Sequence, residues 1–277
     1  MQLVRRRFLT LLAGSAAPAW AVAQQRLPQQ SALLVGVATS LADCGLAQRL
    51  KVAVARDTGL AIQLVPGPSG KVLSLLEQGE VDAAVTHAPE LELALERRGL
   101  AHDRRFVAAN DFVIAGPLPR KGGDPAVLPL RGERDAVRAM AAIAEAGARG
   151  AARFVSGAER SGSQLKESQL WGLAKAVPQG PWHLRAGAGM GETLAIANDQ
   201  QAFVLVDRAT WLTSSRRARL GLLVEGDPRL ADAYHAMLPF RATHPGAKLF
   251  MNWLSGPTGR RVVQRAPGGF RARPVAG

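Results

Sequence analysis

Phe154-Val155-Ser156-Gly157-Ala158-Glu159-Arg160-Ser161-Gly162-Ser163, continued by residues 164–175, reads as a short strand passing through small and hydroxyl residues into a helix. Ser161 stands where a helix cap belongs, and Gly162 lets other backbone come close. The unpaired N–H groups and positive dipole end of such a start attract anions. Ser161 and Ser163 add hydroxyl donors, and Arg160 adds a charge. One such junction is ordinary capping. Its recurrence along the chain decides the fold.

Working outward, residues 32–37 form an apolar run that meets Thr39-Ser40, and Leu46, Leu50 and Val54 follow at helical spacing. Residues 62–65 run into Gly67-Pro68-Ser69-Gly70, then Val72, Leu73, Leu75 and Leu76 on one helix face. Residues 81–85 end at Thr86-His87-Ala88-Pro89-Glu90, ahead of a helix over 90–98. Residues 112–116 and 202–208 read as strands, and 136–148 as an Ala-rich helix. Gly187-Ala188-Gly189-Met190-Gly191 precedes a helix expected near Glu192. The Pro-, Gly- and charge-rich residues 118–135 read as a surface excursion. Strands alternating with helices imply an α/β fold with parallel strands and right-handed crossovers. Ligands of open sheets bind beyond the carboxyl ends of the strands, where Thr39, Ser40 and Ser69 fall.

Composition narrows the function. A chain of 277 residues, 47% hydrophobic, buries a large core in one or two domains. Its single cysteine, Cys44, rules out an internal disulfide and reads as a packed residue. The net charge of +13 includes Arg5, Arg6 and Arg7 at the N-terminus. Arginines are otherwise spread along the chain, with no zinc-finger, RNP or helix-turn-helix pattern, which speaks against nucleic acid. The glycines at 187–191 lack the G-x-G-x-x-G spacing, the preceding strand and the downstream acid of a dinucleotide fingerprint. Scattered His and acidic residues show no zinc-ligand spacing. No cofactor and no metal ligand is expected.

Residues 1–23 read as an export leader. Arg5-Arg6-Arg7-Phe8-Leu9 precedes a short apolar stretch and Ala21-Val22-Ala23, in the order n-region, h-region and A-x-A cleavage site. The Arg-Arg-x-Phe-Leu core resembles a twin-arginine signal, with an Arg-rich Sec leader as the alternative. The apolar run is short of the roughly 20 residues a membrane span needs. A soluble mature protein beginning near Gln24 is expected.

The Thr39-Ser40 junction, Gly67-Pro68-Ser69-Gly70, Val85-Thr86-His87-Ala88-Pro89-Glu90 and Asn110-Asp111-Phe112-Val113-Ile114-Ala115-Gly116-Pro117 come in the order seen in periplasmic tungstate-binding proteins. The likeness continues through Gly189-Met190-Gly191-Glu192-Thr193-Leu194, Asp207-Arg208-Ala209-Thr210-Trp211 and Leu223-Val224-Glu225-Gly226-Asp227-Pro228 to Asn252-Trp253-Leu254-Ser255. The chain thus resembles the solute-binding components of tungstate ABC importers over nearly all of its mature length. That resemblance implies the type II periplasmic binding protein fold: two α/β lobes joined by a two-strand hinge with a ligand cleft between. Lobe 1 would hold residues 32–114 and 208–277, and lobe 2 residues 115–207. Crossings near 113–116 and 205–208 would act as hinges.

The function implied is capture of a tetrahedral oxyanion, tungstate first and molybdate second, in the periplasm, by a monomer that hands it to a membrane permease and catalyses nothing. The expected ligand-binding residues are Thr39, Ser40, Ser69, Arg160, Ser161, Gly162, Ser163, Gly189, Met190 and Gly191. Such an anion offers only acceptor oxygens, so a pocket made of donors suits it and disfavours protonated anions. The chain departs from the family at the second-lobe junction, where Gly157 stands in place of an Arg expected to reach the anion. Arg160 comes three positions later, Ser163 replaces a Thr, and Gln164 stands where a His is common. Losing a charge-assisted contact costs about 1.5–3 kcal/mol unless another group replaces it. Arg160 is the candidate, and it reads equally as a solvated loop charge paired with Glu159 or Glu167. Two other readings stand beside this one. The fold could hold another anion, such as sulfate, phosphate or a small carboxylate. A secreted serine hydrolase would use Ser69, Ser161 or Ser163 with a histidine, but no G-x-S-x-G elbow is present.

Overall fold

The apolar run Leu33–Ala38 forms β1, buried along almost all its length, and pairs in parallel with β2 (Ile62–Gly67) and β3 (Ala83–Thr86). Near-continuous burial is what a parallel strand covered on both faces requires. The covering helices are α1 (Thr39–Asp43), α2 (Leu46–Thr58), α3 (Ser69–Gln78) and α4 (Pro89–Arg97). The computed structural model describes residues 31–118 and 128–273. The leader call at 1–23 and residues 119–127 of the expected excursion lie outside the described residues.

The seventeen-residue strand β4 (Ala101–Pro117) joins the two halves of the sheet. Then follow α5 (Ala136–Ala148), β5 (Phe154–Ser156), α6 (Gly162–Leu173), β6 (His183–Arg185), α7 (Met190–Gln200) and β7 (Phe203–Asp207). The chain ends with α8 (Arg208–Thr213), β8 (Leu220–Val224), β9 (Ala231–Pro239), α9 (Ala247–Ser255) and α10 (Pro257–Arg265). The strand order is β2-β1-β3-β9-β4-β7-β5-β6, with β8 added on β4. β4 pairs antiparallel with β9 from Ala101 to Asp111, and with β7 from Phe112 onward. The half of the sheet on the β9 side, with its helices, is called the first lobe below, and the half on the β7 side the second.

The sheet is mixed where the strand–helix alternation implied parallel strands alone. β9 runs antiparallel between β3 and β4. Its sequence, Ala-Asp-Ala-Tyr-His-Ala-Met-Leu-Pro, is interrupted by Asp232 and His235 and does not read as an apolar run. Both are tolerated inside because each meets a partner: Asp232 pairs with His87, and His235 lies 3.3 Å from Glu92. A short strand, β6, does precede the glycine loop at 187–191, and the following helix begins at Met190, two residues earlier than expected.

The first lobe's core gathers Leu33, Val35, Leu46, Val54, Phe250 and Met251. The second gathers Phe112, Met140, Ile143, Phe154, Trp171 and Trp182. Phe154 is fully buried, with its ring edge-on to Trp171 at 5.1 Å. Truncating it to Ala would cost about 3–5 kcal/mol. Behind it, the buried Glu167 accepts from Ser156 Oγ at 2.7 Å, Trp171 Nε1 at 2.9 Å and His183 Nε2 at 3.0 Å. The bonds from Ser156 and His183 tie α6 to the ends of β5 and β6, and the one from Trp171 stays within α6.

Candidate functional site

In the first lobe, Ala38 at the end of β1 lies beside Gly67 at the end of β2, and Val37 beside Val85 of β3. Three neighbouring strands therefore deliver Thr39-Ser40, Ser69 and His87 to one edge of the sheet. Ser40 and Ser69 are buried, and Thr39 is half-buried. Ser69 Oγ is the one buried side-chain nitrogen or oxygen without a hydrogen-bond partner among the described residues. An orphaned buried hydroxyl costs about 1–3 kcal/mol, so its persistence points to a partner outside the chain.

In the second lobe, Ser161 caps α6 by accepting from Gln164 N–H at 3.2 Å, and its Oγ lies 3.0 Å from Ser163 Oγ. A β-carbon placed at Gly157 would stand 3.4 Å from Ser163 Oγ, 3.5 Å from Thr193 Oγ1 and 3.7 Å from Ser161 Oγ. Gly157 thus looks onto a group of three hydroxyls. Thr193 joined that group only in three dimensions. Its own hydrogen goes to backbone carbonyls, to Gly189 O at 2.8 Å.

The two lobes meet at these junctions. Gly70 N–H donates to Arg160 O at 2.9 Å, and Gly191 N–H donates to Asp43 Oδ2 at 3.0 Å. Thr39 packs on Gly189. Gly162 comes closest: a β-carbon there would fall 2.5 Å from His87 Nε2 and 2.6 Å from the His87 carbonyl oxygen. Only glycine lets α6 approach this near.

The sequence-derived residues are not equivalent in this arrangement. Thr39, Ser40, Ser69, Ser161, Gly162, Ser163 and Gly189 all lie where the lobes face one another. Met190 points into the second lobe's core with Val113, Val155 and Leu194. The Gly191 N–H is already taken by the Asp43 carboxylate, which sits on the amino end of α7 as an anion would. Arg160, an exposed residue with backbone φ of 57°, meets the first lobe at Gly70 through both its carbonyl and its side chain: a β-carbon at Gly70 would stand 2.7 Å from Arg160 Cβ and 3.2 Å from its Nε. Glu167 is taken up by Ser156, Trp171 and His183.

What the sequence did not disclose is the buried network behind Ser40. His87 Nδ1 lies 3.0 Å from Asp232 Oδ2, and His87 Nε2 lies 3.4 Å from Ser40 Oγ. Tyr234 Oη stands 3.0 Å from the same Ser40 Oγ, and its ring stacks on His87 at 4.7 Å. Residues either side of His87 are pinned by Glu92, which accepts from Thr86 Oγ1 at 2.7 Å and Ala88 N–H at 2.9 Å. Glu92 in turn is held by Arg104, at 2.9 Å. Burial opposes charge on both His87 and Glu92. For Glu92, the bonds from His235, Thr86 and Ala88 outweigh burial and lower its pKa. For His87, the charge and hydrogen bond of Asp232, with Asp207 and Glu92 farther off, outweigh burial and raise it.

A serine, a histidine and an aspartate in this order suggest a hydrolytic triad, but the Ser40–His87 contact is long, at 3.4 Å, and Ser40 Oγ is shared with Tyr234 at 3.0 Å. A general base must be neutral to take the serine proton, and the Asp232 carboxylate favours the charged form of His87. The array supplies donors, which is what an acceptor-only anion needs. A separate cavity of about 330 Å³ borders His87, Phe106, Phe112 and Leu165; its walls are mostly apolar and offer an anion little. Among the described residues, no group of three His, Cys, Asp or Glu side chains could hold a metal ion. No helix among them is long and apolar enough to cross a membrane.

Comparison with known proteins gives a consistent picture. A family model described as a PBP superfamily domain matches residues 22–257. The tungstate-binding protein TupA of Peptoclostridium acidaminophilum is 29% identical over 245 residues, covering 86% of this chain and 82% of the relative. An ABC transporter anion-binding protein (putative by its name) of Haloferax volcanii is also 29% identical, over 83% of this chain and 68% of the relative. The solved structure of the tungstate ABC transporter from Geobacter sulfurreducens superposes with a TM-score of 0.70 at 29% identity, over 84% of this chain and 97% of that one.

Proposed function

The chain belongs to the PBP superfamily, and on that premise we propose that it is an extracytoplasmic solute-binding protein that captures a tetrahedral oxyanion, tungstate or molybdate, for an ABC importer. The observation that carries this reading is Ser69 Oγ, buried and unpartnered at the start of α3, where the lobes meet. Ser40, Ser161 and Ser163 hydroxyls converge on the same region and share its donor character. A hydrogen bond to a charged acceptor contributes about 1.5–3 kcal/mol, so a handful suffices for tight capture. The lobes close by bending where β4 changes partner and where β7 leaves the sheet, and the closed face docks on a membrane permease. The leader at 1–23 directs the protein to the periplasm.

Calorimetric titration with tungstate, molybdate and sulfate in one buffer tests the reading. Tight binding of tungstate or molybdate with weak sulfate is the expected result. Binding of sulfate, phosphate or a small carboxylate in preference would keep the fold and change the ligand. No binding to any anion would overturn the proposal.

A further inference from the structure

Resting on the oxyanion reading, we propose that His87 is the cationic residue of the binding site: its Nε2–H, directed at Ser40 Oγ, sets Ser40 to donate its own hydrogen to the bound anion, while its charge offsets the anion's. Two of the three hydrogen positions follow from their partners, and the third, on Nε2, is the one proposed. Both Asp232 oxygens can only accept, so His87 Nδ1, at 3.0 and 3.2 Å from them, carries a hydrogen. Tyr234 Oη has Ser40 Oγ as its partner, and a buried phenol leaves its hydrogen unpaired unless it donates there. With Nε2 protonated as proposed, its hydrogen and that of the Tyr234 hydroxyl both point at Ser40 Oγ and use its acceptor capacity. Its remaining hydrogen is free to meet a ligand.

The ring is built to stay in place. His87 and Asp232 side chains are 5% and 3% exposed, and the imidazole is stacked between Tyr234 and Phe112, at 4.7 and 5.9 Å. Its Nε2 edge is the surface that Gly162 of the second lobe approaches. The charge therefore sits at the contact between the two hydroxyl clusters, buried, while Arg160 is an exposed residue whose side chain passes Gly70. The groups facing the ring are mostly acidic: Asp232 on β9, Asp207 at the end of β7 and Glu92 of α4. Glu90 of α4 and Lys166 of α6 border the neighbouring cavity, and the Arg104–Glu92–His235 set lies behind. A cation there is repaid by Asp232, and a second anion arriving beside Ser40 adds to the balance.

The test combines tungstate titrations from pH 6 to 9 with nitrogen-15 NMR of the imidazoles, using the native protein, His87→Gln, Asp232→Asn, Ser40→Ala and the His87→Gln/Ser40→Ala double variant. Gln at 87 can still donate a neutral hydrogen bond, so the loss reads charge rather than shape. We expect roughly 10- to 100-fold weaker binding in His87→Gln. The native affinity falls as the imidazole deprotonates at high pH, the variant's profile is flat, and the double variant loses less than the product of the single losses. The NMR spectrum of the native protein, which needs no variant to fold, should show both His87 nitrogens protonated at pH 7. Unchanged affinity and pH slope in His87→Gln, or a neutral His87 in the native spectrum, would overturn the inference while tungstate binding stands. A native protein that binds no oxyanion would instead sink the binding reading, and this inference with it.

Discussion

Arg208 lays both prongs of its guanidinium on Asp111, with Nε 2.8 Å from Oδ1 and Nη2 2.6 Å from Oδ2. Asp111 is the last residue of β4 paired with β9, and Arg208 is the first residue after β7. The pair therefore ties the point where β4 changes partner to the end of β7. Arg208 Nη1 also reaches Glu225 Oε2 at 2.8 Å.

Replacing Arg208 by Lys keeps the charge and loses the fork. A single ammonium cannot reproduce two parallel hydrogen bonds, so stability should drop by about 1–3 kcal/mol. The urea midpoint of Arg208→Lys against the native protein reads this directly. An unchanged midpoint would mean the fork adds nothing at this crossing.

Ser69→Ala separates binding from folding. The Oγ it removes has no partner within the chain, so the ligand-free protein should keep or gain stability. Oxyanion affinity should fall by about one to two decades, since a donor to a charged acceptor is lost. A variant that loses stability and keeps its affinity would show that Ser69 serves the fold.

Gly162→Ala tests the approach of the lobes. The added carbon would sit 2.5 Å from His87 Nε2 and 2.6 Å from backbone oxygen, and backbone cannot step aside cheaply. Each lobe should still fold, with a native circular dichroism spectrum, while oxyanion affinity falls at least about 100-fold, the equivalent of some 3 kcal/mol of contact energy. Small-angle scattering should then show no compaction on adding tungstate. Full affinity in this variant would place the ligand away from the Gly162–His87 contact.

Stability should be greatest on the acidic side of neutrality. Burial pushes the Asp207 carboxyl up to about 6, and the Thr210 N–H and hydroxyl donors offset that only in part. Its folded pKa lies above the value of about 3.9 for an unfolded Asp, so its contribution is full below that value and is lost as pH rises towards 6. His87, also raised, contributes fully below about 6.5 and loses that contribution as pH climbs through its folded value. Glu92, lowered, contributes above about 4.3 and loses it as pH falls. Melting temperatures from pH 4 to 8 should thus decline above pH 5, and Asp207→Asn should remove the lower part of that decline. A melting temperature that rises from pH 5 to 7 in the native protein would contradict this assignment.

The sequence by itself determined the pieces that depend on neighbours a few residues apart. β1, β2 and their junctions at Thr39-Ser40 and Ser69 are legible because an apolar run and a hydroxyl helix start are local signals. The family likeness followed from the order of those same short motifs. What only the tertiary structure decided is which of them converge, and what stands behind them. Asp232 lies 145 residues from His87, and Tyr234 lies 194 from Ser40, on a strand whose polar residues hide it from an apolar-pattern reading. Asp232, brought in by the fold, raises the pKa of an ordinary-looking histidine against the burial that opposes it. No local pattern encodes that, because the energy of a buried charge depends on every group packed around it and not on its neighbours in the chain.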